Sequence, residues 1–234
     1  FKNVKFSYIS NIEVLKGVSF NLNPGETLAI VGPTGSGKTT IINLISRLYE
    51  IEHGKITIDD ISINNYKLNC LRNNIGVILQ DVFLFADTIQ NNVTLFDDSI
   101  SKDQVVNAAK ELGIHEFIMS LPDNYNFNVQ ERGNTLSSGQ KQLIAFMRVL
   151  IKNPDILILD EATSSIDSYS EDLIKNATTK ITKNKTSIII AHRLSTIESA
   201  STIIYMEDGL ILEKGSHKEL IGKENGRYRK LHKE

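Results

Sequence analysis

One glycine-rich segment, residues 32–39, constrains the fold of this chain more than any other. It reads Gly32-Pro33-Thr34-Gly35-Ser36-Gly37-Lys38-Thr39 and matches the pattern G-x-x-x-x-G-K-[ST] without a mismatch. An apolar run at 27–31 precedes it, and a helical pattern of apolar residues at 41, 42, 44, 45 and 48 follows it. Glycines let successive backbone N–H groups converge on a phosphate, and the helix adds the positive end of its dipole. The strand–loop–helix context therefore predicts a phosphate-binding loop rather than a chance turn.

A second feature is an apolar run that ends in two carboxylates. Residues 156–159 are Ile-Leu-Ile-Leu, and Asp160 and Glu161 follow. A buried strand brings such side chains to the carboxyl edge of a sheet, where α/β folds bind ligands. Together with the loop, this pattern predicts that Lys38 contacts the β- and γ-phosphates and that Thr39 and Asp160 hold Mg²⁺. Glu161 would polarise the attacking water.

Apolar runs along the rest of the chain indicate the fold class. Strands are predicted near 4–6, 18–20, 27–31, 55–59, 75–79, 156–159, 187–191 and 202–206. Helix-period segments fill about 83–150, with one helix closed by Gly113 and another ended by Asn153 and Pro154. We therefore expect an α/β phosphate-loop NTPase (RecA-like) core with a mostly parallel sheet. It would carry an N-terminal antiparallel β-subdomain and an inserted α-helical subdomain.

Composition limits the classes of function. The 234 residues carry a net charge of -2, which argues against nucleic-acid binding through bulk charge. No run approaches the ~18 apolar residues that a membrane span needs. The one cysteine, Cys70, excludes an internal disulfide. Because the chain begins at Phe1, we expect it to be a piece of a longer polypeptide.

The pentapeptide Leu136-Ser137-Ser138-Gly139-Gln140 resembles the L-S-G-G-Q signature of the ATP-binding cassette family. Serine and glycine before a helix would otherwise indicate only a helix cap. Further motifs follow in the family's order: Tyr8, Gln80, residues 130–133, residues 161–167 and His192. Residues 130–133 and 161–167 are similar to the exporter forms of their motifs.

The resemblance implies a role for each matching residue. Tyr8 would stack on adenine, Gln80 would sense Mg²⁺ and water, and His192 would contact the γ-phosphate. The catalytic set is then Glu161, His192, Lys38 and Gln80, and the metal set is Thr39, Gln80 and Asp160. The ATP-binding set is Tyr8, Gly32, Pro33, Thr34, Gly35, Ser36, Gly37, Lys38, Thr39, Thr40, Ser137, Ser138, Gly139 and Gln140.

The resemblance also implies partners. The signature of one domain would complete the ATP site of a second, head to tail. Residues 80–85 would receive coupling helices from a transmembrane domain expected upstream and absent from this chain, at the cytoplasmic face of a membrane. The nucleotide-binding core would comprise 1–83 and 152–234, and the helical signature subdomain 84–151. Ser138, where the family usually has glycine, favours a heterodimer over a homodimer that tolerates serine.

Other functions share the phosphate loop and the signature. A chromosome-maintenance or DNA-repair ATPase would insert long coiled coils or a zinc module between Lys38 and Ser137, and that interval has neither heptads nor a cysteine cluster. An importer ATPase is disfavoured by residues 130–133 and 161–167. A non-hydrolysing sensor is disfavoured by Glu161 and His192. The transported substrate is not encoded in this chain.

Overall fold

The computed structural model describes residues 1–160, 168–190 and 194–232. Its strands, numbered in chain order, are β1 (Lys2–Ser7), β2 (Glu13–Val18), β3 (Thr27–Val31), β4 (His53–Lys55), β5 (Thr57–Ile58), β6 (Ile61–Ser62), β7 (Ile75–Ile78), β8 (Ile156–Asp160), β9 (Thr186–Ile190), β10 (Thr202–Glu207) and β11 (Leu210–Gly215).

The helices are numbered in the same way. They are α1 (Lys38–Ile45), α2 (Leu68–Asn73), α3 (Ile89–Thr94), α4 (Lys102–Leu112), α5 (His115–Ser120), α6 (Ser138–Lys152), α7 (Ser168–Thr182), α8 (Leu194–Ser199), α9 (His217–Gly222) and α10 (Arg227–Leu231). In the described part of the chain, no helix has the length and apolar character required to cross a membrane.

The largest sheet has six strands in the order β11-β10-β3-β9-β8-β7. Strands β10, β3, β9 and β8 run parallel, and β11 closes one edge antiparallel to β10. The runs 28–31, 157–159, 188–190 and 203–204 are buried throughout. Continuous apolar strands of this kind are typical of parallel sheets that are covered on both faces. The α/β fold class and the mostly parallel sheet are confirmed.

A smaller antiparallel sheet has the order β2-β1-β4, and β5 and β6 form a separate hairpin. The predicted strand at 18–20 is wrong, because the pairing with β1 uses Glu13–Val18 instead. The local sequence pattern does not reveal β2, because Gly17 has a φ of 94° and the β1–β2 register shifts twice. The N-terminal β-rich character itself is as predicted.

Three other expectations differ from the structure. The strand predicted at 55–59 is broken at Ile56, which is 2% exposed and accepts a hydrogen bond from the backbone N–H of Ile63. Helix α1 ends at Ile45 with Ser46 as its C-cap, so Leu48 is not part of it. Strand β11 was not predicted, since it pairs through its backbone and leaves Leu210 and Leu212 exposed.

Packing divides the chain into two compact units. The first comprises Phe1–Ile75, Asp155–Ala162 and Asn184–Glu234, and the second comprises Gly76–Pro154 and Thr163–Lys183.

The second unit is mainly helical. One face of α4 is buried, and its residues recur at helical spacing: Val105, Ala108, Ala109 and Leu112. Helix α4 packs on α6. The predicted ends are confirmed: Gly113 caps α4 at a φ of 75°, and Asn153 caps α6.

Candidate functional site

The loop between β3 and α1 is shaped by its glycines. Gly32, Gly35 and Gly37 have φ values of 145°, 81° and 100°, which L-residues rarely adopt. A Cβ at Gly32 would lie 2.0 Å from the carbonyl oxygen of Met206, on the neighbouring strand β10. The loop therefore leaves the sheet by a path that a side chain at position 32 would block.

Lys38, the first residue of α1, is folded into this loop and is only 8% exposed. Its Nζ donates to the carbonyl oxygens of Gly32 at 2.7 Å and Pro33 at 2.8 Å. Burial lowers the pKa of the Lys38 ammonium, and the nearby charge of Asp160 opposes that shift. The loop thus holds a cation at its centre.

Asp160 reaches the same edge of the sheet because of the strand order. It is the last residue of β8, and β8, β9 and β3 are adjacent and parallel, so their carboxyl ends lie along one edge. The Asp160 side chain is 8% exposed. Glu161 and His192, predicted to follow β8 and β9, lie outside the described residues.

Tyr8 lies beside the phosphate loop. Its hydroxyl donates to Thr40 Oγ1 at 3.3 Å and accepts from Asn43 Nδ2 at 3.0 Å, which ties the residue after β1 to α1. The ring is 44% exposed and packs edge-on against Tyr49 at 5.0 Å between centroids. Both rings line a cavity of about 180 Å³. Tyr49 was missed in the sequence, where it is one more apolar residue after α1.

The other loop residues differ in exposure. Pro33, Thr34, Gly35 and Thr39 are exposed, whereas Ser36, Gly37 and Thr40 are buried. The exposed Thr39 follows Lys38 on α1. The structure thus brings Tyr8, residues 32–40 and Asp160 together within the first unit.

The predicted signature forms the N-terminus of α6 in the second unit. Ser137 is the N-cap: its Oγ accepts from the Gln140 backbone N–H at 3.2 Å, and Gln140 Oε1 accepts from the Ser137 N–H at 2.9 Å. This is a complete capping box. Ser137 and Ser138 are exposed, and Gly139 is buried. Ser137 Oγ accepts the capping hydrogen bond, so the cap does not use the Ser137 hydroxyl as a donor.

Gln80 also belongs to the second unit, where it follows β7 and is exposed. Further along, Phe83, Phe85 and Phe96 are 57%, 43% and 54% exposed. Their rings pack in series, with centroids 5.2 Å and 5.7 Å apart. We call these three residues the phenylalanine patch.

Beneath this patch lies a polar cluster that sequence analysis missed. Asn92 is fully buried; its Oδ1 accepts from the Phe85 N–H at 2.8 Å, and its Nδ2 donates to the Phe85 carbonyl oxygen at 3.0 Å. Arg148 donates to the Asn92 carbonyl oxygen at 2.7 Å and to that of Phe83 at 3.1 Å. Burial lowers the pKa of Arg148 to about 10, so it remains charged at neutral pH. The partners are 56 residues apart, and no local pattern indicates such a pair.

A glycine-rich loop around a buried lysine, at the carboxyl edge of a parallel sheet, defines a phosphate-loop NTPase. Residues 15–164 match the model of the ABC transporter family. The chain is 47% identical over 234 residues to an ATP-dependent lipid A-core flippase of Pasteurella multocida, covering 99% of this chain and 40% of the relative. It is 46% identical over 226 residues to ATP-binding cassette sub-family B member 5 of Mus musculus, covering 96% and 18% respectively.

A solved structure agrees with these matches. The structure of a bacterial Atm1-family ABC exporter with ATP bound superposes with a TM-score of 0.92 at 41% identity, over 100% of this chain and 41% of that one. The chain therefore belongs to the ABC transporter family, as an ATPase domain of the exporter type. It spans about two fifths or less of the length of these relatives. The similarity supports the exporter interpretation over the chromosome-maintenance alternative.

The glycine geometry predicts unequal costs for two alanine substitutions in the loop. Gly35→Ala meets no described atom within 4 Å, so it should cost about 1 kcal/mol, the strain of a positive φ. Gly32→Ala adds a clash with the Met206 carbonyl and should cost at least about twice that. Urea unfolding of both variants measures the difference, and equal costs would contradict this account of the loop.

Proposed function

We propose that this domain binds and hydrolyses Mg·ATP and that the hydrolysis drives substrate export across a membrane. The observation that carries the proposal is the buried Lys38 inside its glycine loop, with Asp160 at the same sheet edge. A buried ammonium beside a carboxylate is suited to a ligand that brings both phosphate oxygens and a divalent cation.

The described residues fit such a ligand. The first turn of α1 contains no acidic residue, so the positive end of its dipole is not neutralised. Thr39 and Asp160 supply hydroxyl and carboxylate oxygens, the hard donors that Mg²⁺ prefers. Tyr8 presents an exposed ring beside the loop, and adenine would stack on it.

Each residue then has a defined part in the reaction. Bound Mg²⁺ would neutralise charge on the phosphate oxygens, held by Thr39 and Asp160 with Gln80. Lys38 would balance the charge that develops on the γ-phosphate. Glu161 would orient and polarise the attacking water, and His192 would contact the γ-phosphate.

The signature would serve a second domain. Ser137 and Ser138 are exposed at the N-terminus of the long helix α6, where backbone N–H groups attract anions. The Ser137 hydroxyl, whose oxygen already caps α6, would donate a hydrogen bond to a γ-phosphate oxygen of the partner's nucleotide. Gly139 and Gln140 would complete this contact, and two ATP molecules would then join two domains head to tail.

Glu161→Gln should slow turnover at least about 100-fold, because the amide cannot accept a proton from water. Mg·ATP should still bind, so the dimer should persist longer on a sizing column. Glu111→Gln, on the exposed face of α4, is the matched control and should turn over normally. Wild-type turnover in Glu161→Gln would remove this residue from the mechanism.

Ser138 bears on the choice of partner. A hydroxymethyl group at this exposed position would lie against the partner's γ-phosphate, where the family usually has only a hydrogen atom. We therefore favour a heterodimer in which the partner chain carries an unaltered signature. That signature would complete the ATP site that contains Lys38 and Glu161 of this chain. Strong, cooperative turnover of this chain alone would contradict the heterodimer and favour a homodimer.

The phenylalanine patch is the surface that we assign to coupling helices of a transmembrane domain. Three exposed aromatic rings in contact form an apolar surface that soluble proteins rarely leave uncovered. Arg148 and Asn92 fix the backbone of Phe83 and Phe85 from below, which gives the surface a defined shape. The transmembrane domain would lie upstream, with this domain at the cytoplasmic face of the membrane and no nucleic acid as partner.

The division into a core (1–83 and 152–234) and a signature subdomain (84–151) is part of the same proposal. It would allow Gln80 and the phenylalanine patch to transmit closure of the ATP sites to the membrane domain. The transported substrate is decided outside this chain.

Phe83→Ala and Phe85→Ala together should abolish stimulation of ATP turnover by transported substrate in the full transporter, since apolar contact area is lost. ATP binding should be unchanged. Met119→Ala removes a side chain of similar exposure, 47%, from α5 and is the control. If the double variant keeps full stimulation, the coupling surface lies elsewhere.

A further inference from the structure

Three side chains in the C-terminal part of the first unit form a cluster outside the ATP site. Glu198 on α8, His217 at the start of α9 and His232 at the end of α10 each offer a ligand atom, and these atoms all lie within 4.8 Å of one another. They are the one such group of three among the described residues. We propose that this cluster binds a divalent transition-metal ion of the zinc type.

The spacing is close to that of a metal site. His232 Nε2 and Glu198 Oε1 are 3.1 Å apart. Tetrahedral zinc with ligand bonds near 2.0–2.1 Å places neighbouring ligand atoms about 3.3 Å apart. The side chains of His232 and Glu198 are 27% and 47% exposed, so both have room for a small adjustment. All three ligand atoms lie within 4.8 Å of one another, so an inward movement of at most roughly 1.5 Å brings them to the spacing of zinc ligands.

His217 is already oriented. Its Nδ1 lies 2.8 Å from the hydroxyl of Tyr228, and Tyr228 is 1% exposed. Metal-binding histidines usually bond through one ring nitrogen to a fixed polar group and use the other for the metal. The Tyr228 contact therefore leaves Nε2 of His217 for the ion, and the His217 and His232 rings are adjacent, with centroids 5.2 Å apart.

The donor set selects the class of metal. Two imidazoles and one carboxylate favour Zn²⁺, Co²⁺ or Ni²⁺, whereas Mg²⁺ and Ca²⁺ prefer oxygen ligands. The site is thus chemically distinct from the proposed Mg²⁺ ligands Thr39 and Asp160. An ion here would join three short helices, α8, α9 and α10.

The chain contains an internal comparison. His115 makes the same contact with a tyrosine, Nδ1 to Tyr125 hydroxyl at 2.8 Å. It belongs to no group of three candidate ligands in the described ranges. A histidine–tyrosine pair therefore does not by itself provide a candidate metal site, and His115 serves as a matched control.

The test is titration of the full chain with Zn²⁺ alone, without nucleotide, in a Cys70→Ser background that removes the exposed thiol. We expect one Zn²⁺ per chain and a rise in Tm. Glu198→Ala and His232→Ala should each weaken the affinity at least about tenfold and lose the rise in Tm, because each removes a direct ligand. His53→Ala and His115→Ala should bind as the parent does.

A second probe is independent of stability. Co²⁺ should give the visible absorption bands of a four- or five-coordinate site in the parent, and these should be lost in both ligand variants. Mg²⁺ at the same concentration should produce no rise in Tm. Absence of Zn²⁺ binding, binding unchanged in both ligand variants, or binding lost equally in His53→Ala or His115→Ala would each overturn the proposal. Circular dichroism of the metal-free variants, which alter exposed or half-exposed side chains, shows whether they are folded.

Discussion

The hydrogen bonds from the Lys38 ammonium to the carbonyl oxygens of Gly32 and Pro33 hold a cation almost out of water, at the centre of the loop. Burying an ammonium group is costly unless it is paired, and here loop carbonyls and the charge of Asp160 offset that cost. The arrangement depends on Gly32, whose path beside β10 tolerates no side chain. It also depends on the sheet order, which places the end of β8 near the loop after β3.

The same geometry supports the proposal that one domain supplies only half of each ATP site. The first unit supplies a loop cation, a carboxylate and an exposed tyrosine, and we propose that all three contact one nucleotide. The signature, by contrast, forms the exposed and capped N-terminus of α6 in the second unit. Such a helix end attracts anions. In the proposed assembly, the nucleotide of a second domain would be the ligand of this helix end, and the second domain's signature would add contacts to the γ-phosphate of this chain's nucleotide.

Local patterns predicted the phosphate loop, the buried parallel strands and the caps of α4 and α6, because each depends on neighbouring residues. The β2 register and the break at Ile56 were misjudged, since bulges and a single buried side chain override alternation. The apolar pattern of strand β11 is too weak to predict a strand from the sequence. The Arg148–Asn92 cluster and the cluster of Glu198, His217 and His232 join residues that are not neighbours in sequence, so only the folded chain brings them together.

The most direct test of the shared ATP site is a mixing experiment in the assembly that supports wild-type turnover. Lys38→Ala inactivates the loop and leaves the signature intact. Ser137→Asp keeps a good N-cap but opposes the γ-phosphate with negative charge. Where two copies of this chain pair, each variant alone should be inactive, and an equal mixture should regain about a quarter of wild-type turnover, since half of randomly paired dimers contain one intact site of two. In the favoured heterodimer, Lys38→Ala should abolish hydrolysis at this chain's site, whereas Ser137→Asp should weaken only the partner's site. Full turnover by Ser137→Asp in the homodimer, or loss of hydrolysis at this chain's own site by Ser137→Asp in the heterodimer, would contradict the account.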